Sequence, residues 1–154
     1  MKRVKIIILV LFIIIIAIQF IQPARNQSGQ VNQNSITKIY SVPKKVQMIL
    51  SVACYDCHSN NTRYPWYANI QPGSWWMASH IKEGKNGLNF DEFASYSNRR
   101  QQSKLKSIVN SINNGTMPLS SYTLIHKEAI LSKEDKMSIK NWANTIKDSL
   151  ELRN

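Results

Sequence analysis

The pentapeptide Cys54-Tyr55-Asp56-Cys57-His58 holds the only two cysteines of the chain and one of its three histidines. Two thiols with two residues between them stand about one helical turn apart. At that separation both can form thioethers to the two vinyl groups of a single haem, and the histidine that follows can turn its imidazole onto the iron. The C-x-x-C-H run therefore reads as a c-type haem attachment site, with Cys54 and Cys57 as covalent anchors and His58 as one axial ligand. A Cys2His2 zinc site would need His80 or His126 beside His58, and neither falls at a finger-like spacing. A dithiol redox motif calls for a βαβ context that the flanking pattern does not offer. No thiol remains for a disulfide framework elsewhere.

Haem c is attached after export, so the N-terminus bears on this reading. A chain of 154 residues allows one ordinary domain with a terminal appendage. Lys2, Arg3 and Lys5 precede an apolar run from Ile6 to Ile18, extended by Phe20 and Ile21 past Gln19. From Ile6 to Ile21 the run makes roughly 24 Å of helix, somewhat less than a hydrocarbon core of about 30 Å. It exceeds an ordinary signal h-region, and no small-x-small cleavage site follows before Gln22-Pro23-Ala24-Arg25. The expectation is a retained signal-anchor or transmembrane helix over residues 1–25, with a cleaved leader as the alternative. The cations ahead of the run predict a cytoplasmic N-terminus in the inner membrane and a working domain in the periplasm; cleavage would leave that domain secreted or periplasmic.

The formal net charge is +11; without Lys2, Arg3, Lys5 and Arg25 the remainder still carries +7. On an exported domain this charge points away from nucleic acid. It suits anionic lipid headgroups or an acidic redox partner, and equally a merely soluble basic surface.

The elements that must position the motif follow from periodicity. Residues 26–39 are mostly polar and nearly uncharged, as in a flexible tether. Ser41 and Pro43 then offer a helix start, and Val46, Ile49, Leu50 and Ala53 repeat at helical spacing, delivering the chain into the haem motif. The turn-rich, aromatic stretch from Ser59 to Tyr67 is expected to wrap the haem edge. A second helix is predicted from about Gly73 to Glu83, carrying Trp75, Trp76, Met77, His80 and Ile81, with Gly84 ending it. Asn89 and Glu92 form an N-cap and N3 pair for a short helix over Phe90 to Tyr96.

Leu105, Ile108, Val109 and Ile112 mark the next helix, and Gly115 stands where a left-handed cap would close it. Ser132 with Asp135 signals the start of a last helix whose apolar face is Ile139, Trp142, Ala143, Ile146 and Leu150. No strand and no internal repeat is evident. The predicted fold is all-α, four or five helices around one haem over residues 40–154, preceded by the N-terminal membrane helix.

This layout, a helix leading into C-x-x-C-H, a later Met-Pro loop and a C-terminal helix, resembles class I cytochromes c. More closely, Cys54 to His58 with Ser59-Asn60, Tyr64-Pro65-Trp66-Tyr67, His80 with Gly84, Leu88-Asn89-Phe90, and Met117-Pro118-Leu119 with Tyr122 and His126 resemble the haem-binding domain family of small exported bacterial proteins. The similarity covers roughly residues 40 to 148 and the short anchor. It implies one covalent haem c and membrane attachment.

The sixth iron ligand stays open among Met117, His80 and His126, all chemically suitable. Met117 lies on a loop ahead of a proline, as the distal methionine does in class I cytochromes c. His80 rides on the tryptophan-rich helix, and could instead hold a haem propionate. His126 reads most simply as a loop histidine, Met48, Met77 and Met137 as core filler, and Trp66, Trp75, Trp76 and Trp142 as packing. A His/Met-ligated iron has no open position and carries single electrons, so the leading expectation is a membrane-tethered mono-haem cytochrome c that is not an enzyme. An empty or displaceable sixth position would make the protein a haem-based ligand or redox sensor, or peroxidase-like with His80 as acid-base group.

Overall fold

The computed structural model describes residues 1–29 and 32–152. Within them the chain forms eight α-helices, three short 3-10 segments and no strand. The helices are α1 (Lys2–Gln19), α2 (Ile36–Ile39), α3 (Lys44–Ala53), α4 (Tyr55–His58), α5 (Gly73–Gly87), α6 (Asn98–Asn113), α7 (Ser120–Ile125) and α8 (Lys133–Glu151); the 3-10 segments are Trp66–Asn69, Phe90–Ser95 and Lys127–Ala129. The all-α expectation holds. More helices form than periodicity marks, because α2, α4 and α7 are too short to repeat an apolar position.

α6 and α8 make the most extensive helix pair, and α3 packs across α8. Their buried faces are those the sequence marks: Val46 and Leu50 from α3, Leu105 and Ile112 from α6, and Ile139, Trp142, Ala143, Ile146 and Leu150 from α8. Phe90 and Phe93 complete this core from the 3-10 segment. α8 begins in a capping box, with the Ser132 hydroxyl accepting from the Asp135 N–H (3.1 Å) and the Asp135 carboxylate accepting from the Ser132 N–H (3.1 Å). The Ser132 hydroxyl donating to the Asp135 carboxylate (2.7 Å), and to a lesser degree the Ser132 N–H, holds the Asp135 carboxyl below the usual range. α6 closes at Gly115, whose φ of 67° lets the N–H of Thr116 reach back to the Ser111 carbonyl (3.0 Å).

Two local expectations change. Gly84 does not end α5, which continues to Gly87, because Gly84 is a packing position in the helix interior. Asn89 caps the following segment by accepting from the Asp91 N–H (3.0 Å), while Glu92 leaves helical geometry and its carboxylate accepts from the Asn60 side chain (3.1 Å).

The N-terminal segment requires a larger correction. No helix among the described residues is long and apolar enough to cross a membrane. α1 has 18 residues, and Lys2, Arg3 and Lys5 occupy its start. The uncharged remainder from Ile6 to Gln19 makes roughly 21 Å of helix against a core of about 30 Å. Beyond it, Gln19 and Gln22 turn into the domain. The N–H of Gln71 donates to the Gln19 side-chain oxygen (2.9 Å), and the Gln71 side chain and the Trp75 indole both donate to the Ile21 carbonyl (2.8 and 2.9 Å). The expected inner-membrane anchor is thereby overturned, and the placement of the domain loses the support drawn from it.

The stretch expected to be a tether contributes to the fold. Asn26 donates to the Ser59 carbonyl and the Thr62 hydroxyl (2.9 Å each) and takes a bond from Lys85, Gln27 bridges to Asn61, and Ile36 is fully buried. Gln30 and Val31 of that stretch, and the last two residues of the expected domain, lie outside the described residues.

Phe93 is fully buried with its ring against Tyr40 and Tyr96. Phe93→Ala is expected to cost about 3–5 kcal/mol of unfolding free energy in urea titration, whereas Met137→Ala, at an exposed position of α8, stays within about 0.5 kcal/mol.

Candidate functional site

α3 ends at Ala53 because Cys54 leaves helical geometry (φ −132°, ψ −43°). The chain at once re-forms a four-residue helix, α4, in which the N–H groups of Cys57 and His58 both donate to the Cys54 carbonyl (3.2 and 2.9 Å). This turn sets the two sulfurs one helical turn apart with His58 beside the second. Both cysteines are free thiols. Burial, with a smaller contribution from Cys57, pushes Cys54 up to about 12, and burial with the Asp56 charge pushes Cys57 up to about 11. Both are therefore protonated at neutral pH.

The imidazole of His58 is fixed by its Nδ1, which lies 2.9 Å from the Leu88 carbonyl. A carbonyl can only accept, so Nδ1 carries the proton and the lone pair resides on Nε2. Burial lowers the His58 pKa, opposed by the backbone carbonyls of Leu88 and Gly84, and keeps the ring in the neutral form a metal requires. Leu88 is a partner of the kind that orients a ligating histidine and sets its tautomer.

Asp56, the charged residue of the motif, borders the smaller cavity but is committed to partners of its own. Its buried carboxylate accepts from the Tyr122 hydroxyl (2.8 Å) and from the backbone N–H and Nε of Arg63 (3.2 Å each). Its carbonyl accepts from the Thr62 hydroxyl (2.6 Å). Burial, then the bond to Asp56, raises the pKa of Tyr122 far above a free phenol's. On the other side α4 lies against α5 so closely that a Cβ on Gly84 would stand 2.6 Å from the Cys57 carbonyl oxygen. α4 is thus held through Asp56, Gly84 and Leu88.

Two adjoining cavities of about 340 and 280 Å³ open beside this turn and share Ala53, Cys54, His58, Gly87, Met117 and Pro118. The larger is walled by core side chains such as Leu50, Phe90, Ile108 and Ile139. Of the candidates marked by the sequence, Cys54, Cys57, His58, His80 and Met117 line the smaller. Met117 is 38 % exposed. His80 stacks on Trp76 (ring centroids 4.3 Å apart), with Nδ1 3.1 Å from the Trp76 carbonyl, which leaves Nε2 as its uncommitted nitrogen.

His126 stands apart from both cavities. It stacks on Tyr122 (4.3 Å), Nε2 lies 2.7 Å from the Tyr67 hydroxyl, and Nδ1 lies 3.2 Å from the Glu128 carboxylate. Both ring nitrogens are engaged. Sequence reasoning misses Arg63, Tyr122 as the partner of Asp56, and the carbonyl of Leu88. Asp56 sits at an unconstrained position of the motif, and a backbone carbonyl leaves no trace in residue type.

Two thiols, a neutral imidazole with a free Nε2, a thioether and a largely apolar double cavity are the donor set and the room that an iron porphyrin needs. Among the described residues no three His, Cys, Asp or Glu side chains converge to hold a bare ion. The model of the haem-binding domain family matches residues 13–145, and the chain belongs to that family. Searches of curated proteins and of solved structures give no match.

The contact at Gly84 generates a paired test. Gly84→Ala places a methyl group against the Cys57 backbone and is expected to cost about 1–3 kcal/mol of apoprotein stability in urea titration. Gly87→Ala, where a Cβ meets nothing within 4 Å, leaves apoprotein stability unchanged or slightly raised.

Proposed function

We propose that this chain is a mono-haem c-type protein of cytochrome c-like fold that carries single electrons. Cys54 and Cys57 are the thioether anchors, and His58 and Met117 the axial ligands. The observation that carries the reading is that His58 presents a neutral imidazole with Nε2 free, on the same cavity rim as both thiols and the Met117 thioether. The order of elements around it supports the cytochrome c-like assignment: a helix running into C-x-x-C-H, a Met-Pro loop and a long C-terminal helix.

Bound haem supplies an Fe(III)/Fe(II) couple whose potential a thioether ligand raises. Everything else is done by the chain. Each thiol adds across one C=C bond, sulfur forming the C–S bond and hydrogen going to the neighbouring carbon, so attachment consumes no oxidant. Protonated thiols are the form this addition starts from. His58 donates its Nε2 lone pair while the Leu88 carbonyl holds the Nδ1 proton. Leu50, Phe90, Ile108 and Ile139 keep water from the larger cavity, which holds the surroundings fixed when the charge of the centre changes. The basic surface suits an acidic redox partner.

One observation favours a second reading. Met117 is 38 % exposed on its loop, and His80 lines the same cavity. A thioether this open to solvent can be displaced by a diatomic ligand, which would make the protein a haem-based sensor.

Optical spectra of the haem-loaded full chain separate the readings. Electron transfer predicts low-spin haem, a weak ferric sulfur-to-iron charge-transfer band at the red end, and no reaction of the reduced protein with carbon monoxide. Met117→Ala is then expected to give a high-spin or water-ligated ferric spectrum, and His80→Ala to leave it nearly unchanged. Loss of the low-spin spectrum in His80→Ala alone would assign a bis-histidine site. Ready carbon monoxide binding would assign sensing.

A further inference from the structure

α6 gives one continuous stripe to the larger cavity: Lys104, Ser107, Ile108, Ser111 and Ile112, spaced i, i+3, i+4, i+7 and i+8. The stripe has two borders. Ile108 and Ile112 join the apolar core, whereas Lys104, Ser107 and Ser111 form a polar line of one ammonium group and two hydroxyls. The Ser107 hydroxyl is already donated to the Ser103 carbonyl (2.9 Å), which leaves its oxygen as an acceptor. Among the described residues Lys104 makes no ion pair. Lys104 is thus a half-buried cation on a cavity whose walls are mainly apolar, and no ion pair among the described residues accounts for it.

The charges of the two cavities differ in sign. Lys104 is the ionic side chain lining the larger cavity, while Asp56 and Glu83 line the smaller. Asp56 is already paired with Arg63 and Tyr122, and the Glu83 carboxylate accepts from Ser79 (3.3 Å). A haem is itself divided in this way, as an apolar disc bearing two carboxylates on one edge. Burying the disc brings those carboxylates against the protein, where they need a cation or water and are repelled by other carboxylates.

We propose that Lys104 binds a carboxylate of the haem edge and thereby fixes which way round the haem lies across the two cavities. The carboxylate edge is directed to the Lys104 end, away from Asp56 and Glu83. This rests on the reading that haem occupies these cavities. It assigns Lys104 as a haem-binding residue of α6, remote in sequence from the C-x-x-C-H motif, and makes the polar border of α6 an orientation signal.

The test uses the full chain with Cys54→Ala and Cys57→Ala, so that binding is reversible, and titrates it with ferric haem and with ferric haem dimethyl ester, following the Soret band. With Lys104 in place, haem is expected to bind about tenfold more tightly than the ester, the scale of one charge-assisted hydrogen bond. Lys104→Met should weaken haem to the level of the ester and leave the ester unchanged, and Lys104→Arg should keep the preference. Equal binding of the two porphyrins with Lys104 present, or a preference that survives Lys104→Met, overturns the role of Lys104 while leaving the haem site intact. Failure of both porphyrins to bind with Lys104 present overturns the haem reading of these cavities, and the inference with it.

Discussion

The approach of α4 to α5 at Gly84 is the constraint on which the site depends. A four-residue helix cannot sustain itself, since nucleation fixes several dihedral angles for a single hydrogen bond. α4 persists because Gly84 lets the Cys57 backbone settle directly on α5, because Asp56 is anchored inward by Arg63 and Tyr122, and because Leu88, just past the end of α5, holds the His58 ring. The same contact explains why α5 runs through a glycine that would ordinarily weaken it. The helix interior gives up roughly 1 kcal/mol of propensity there and gains the approach that orients both thiols and the imidazole.

The electrostatics of the turn divide it into two faces. Inward, Asp56 forms an ion pair with Arg63 whose energetic value is modest, because the Arg63 side chain is 64 % exposed to screening solvent. Its importance is geometric, since it fixes the roll of α4. Toward the cavities, burial keeps both thiols protonated and His58 neutral, so this face presents uncharged donors to an apolar space. Charge enters at the margins, acidic at one cavity and basic at the other. An amphipathic disc is the kind of guest that such a distribution orients.

The N-terminal segment shows how local composition misleads when tertiary contacts are unknown. Its apolar run resembles a span, yet the three early cations and the break after Gln19 leave too little uncharged helix to cross. Gln19, from the expected anchor, and Asn26, from the expected tether, instead satisfy backbone groups of the domain at Gln71 and Ser59. Polar residues without periodicity are ambiguous in this way: a solvated linker and a hydrogen-bonded strap have the same composition.

Much of the architecture was legible in the chain itself. The periodic apolar positions of α3, α6 and α8, the capping box at Ser132 and the left-handed cap at Gly115 are local signals, and each is realised. The clustering of donors in the candidate site was legible for the same reason, because C-x-x-C-H packs them into one turn and needs no distant partner to be recognised. The tertiary structure alone decided the rest. It joined Met117 and His80 to that turn, withdrew His126 into contact with Tyr67, turned Gly84 from a helix stop into a packing surface, and set Lys104 on the border of the larger cavity. Each of these depends on which helix faces are brought together across more than twenty residues of chain, and a linear pattern of residue types does not specify that.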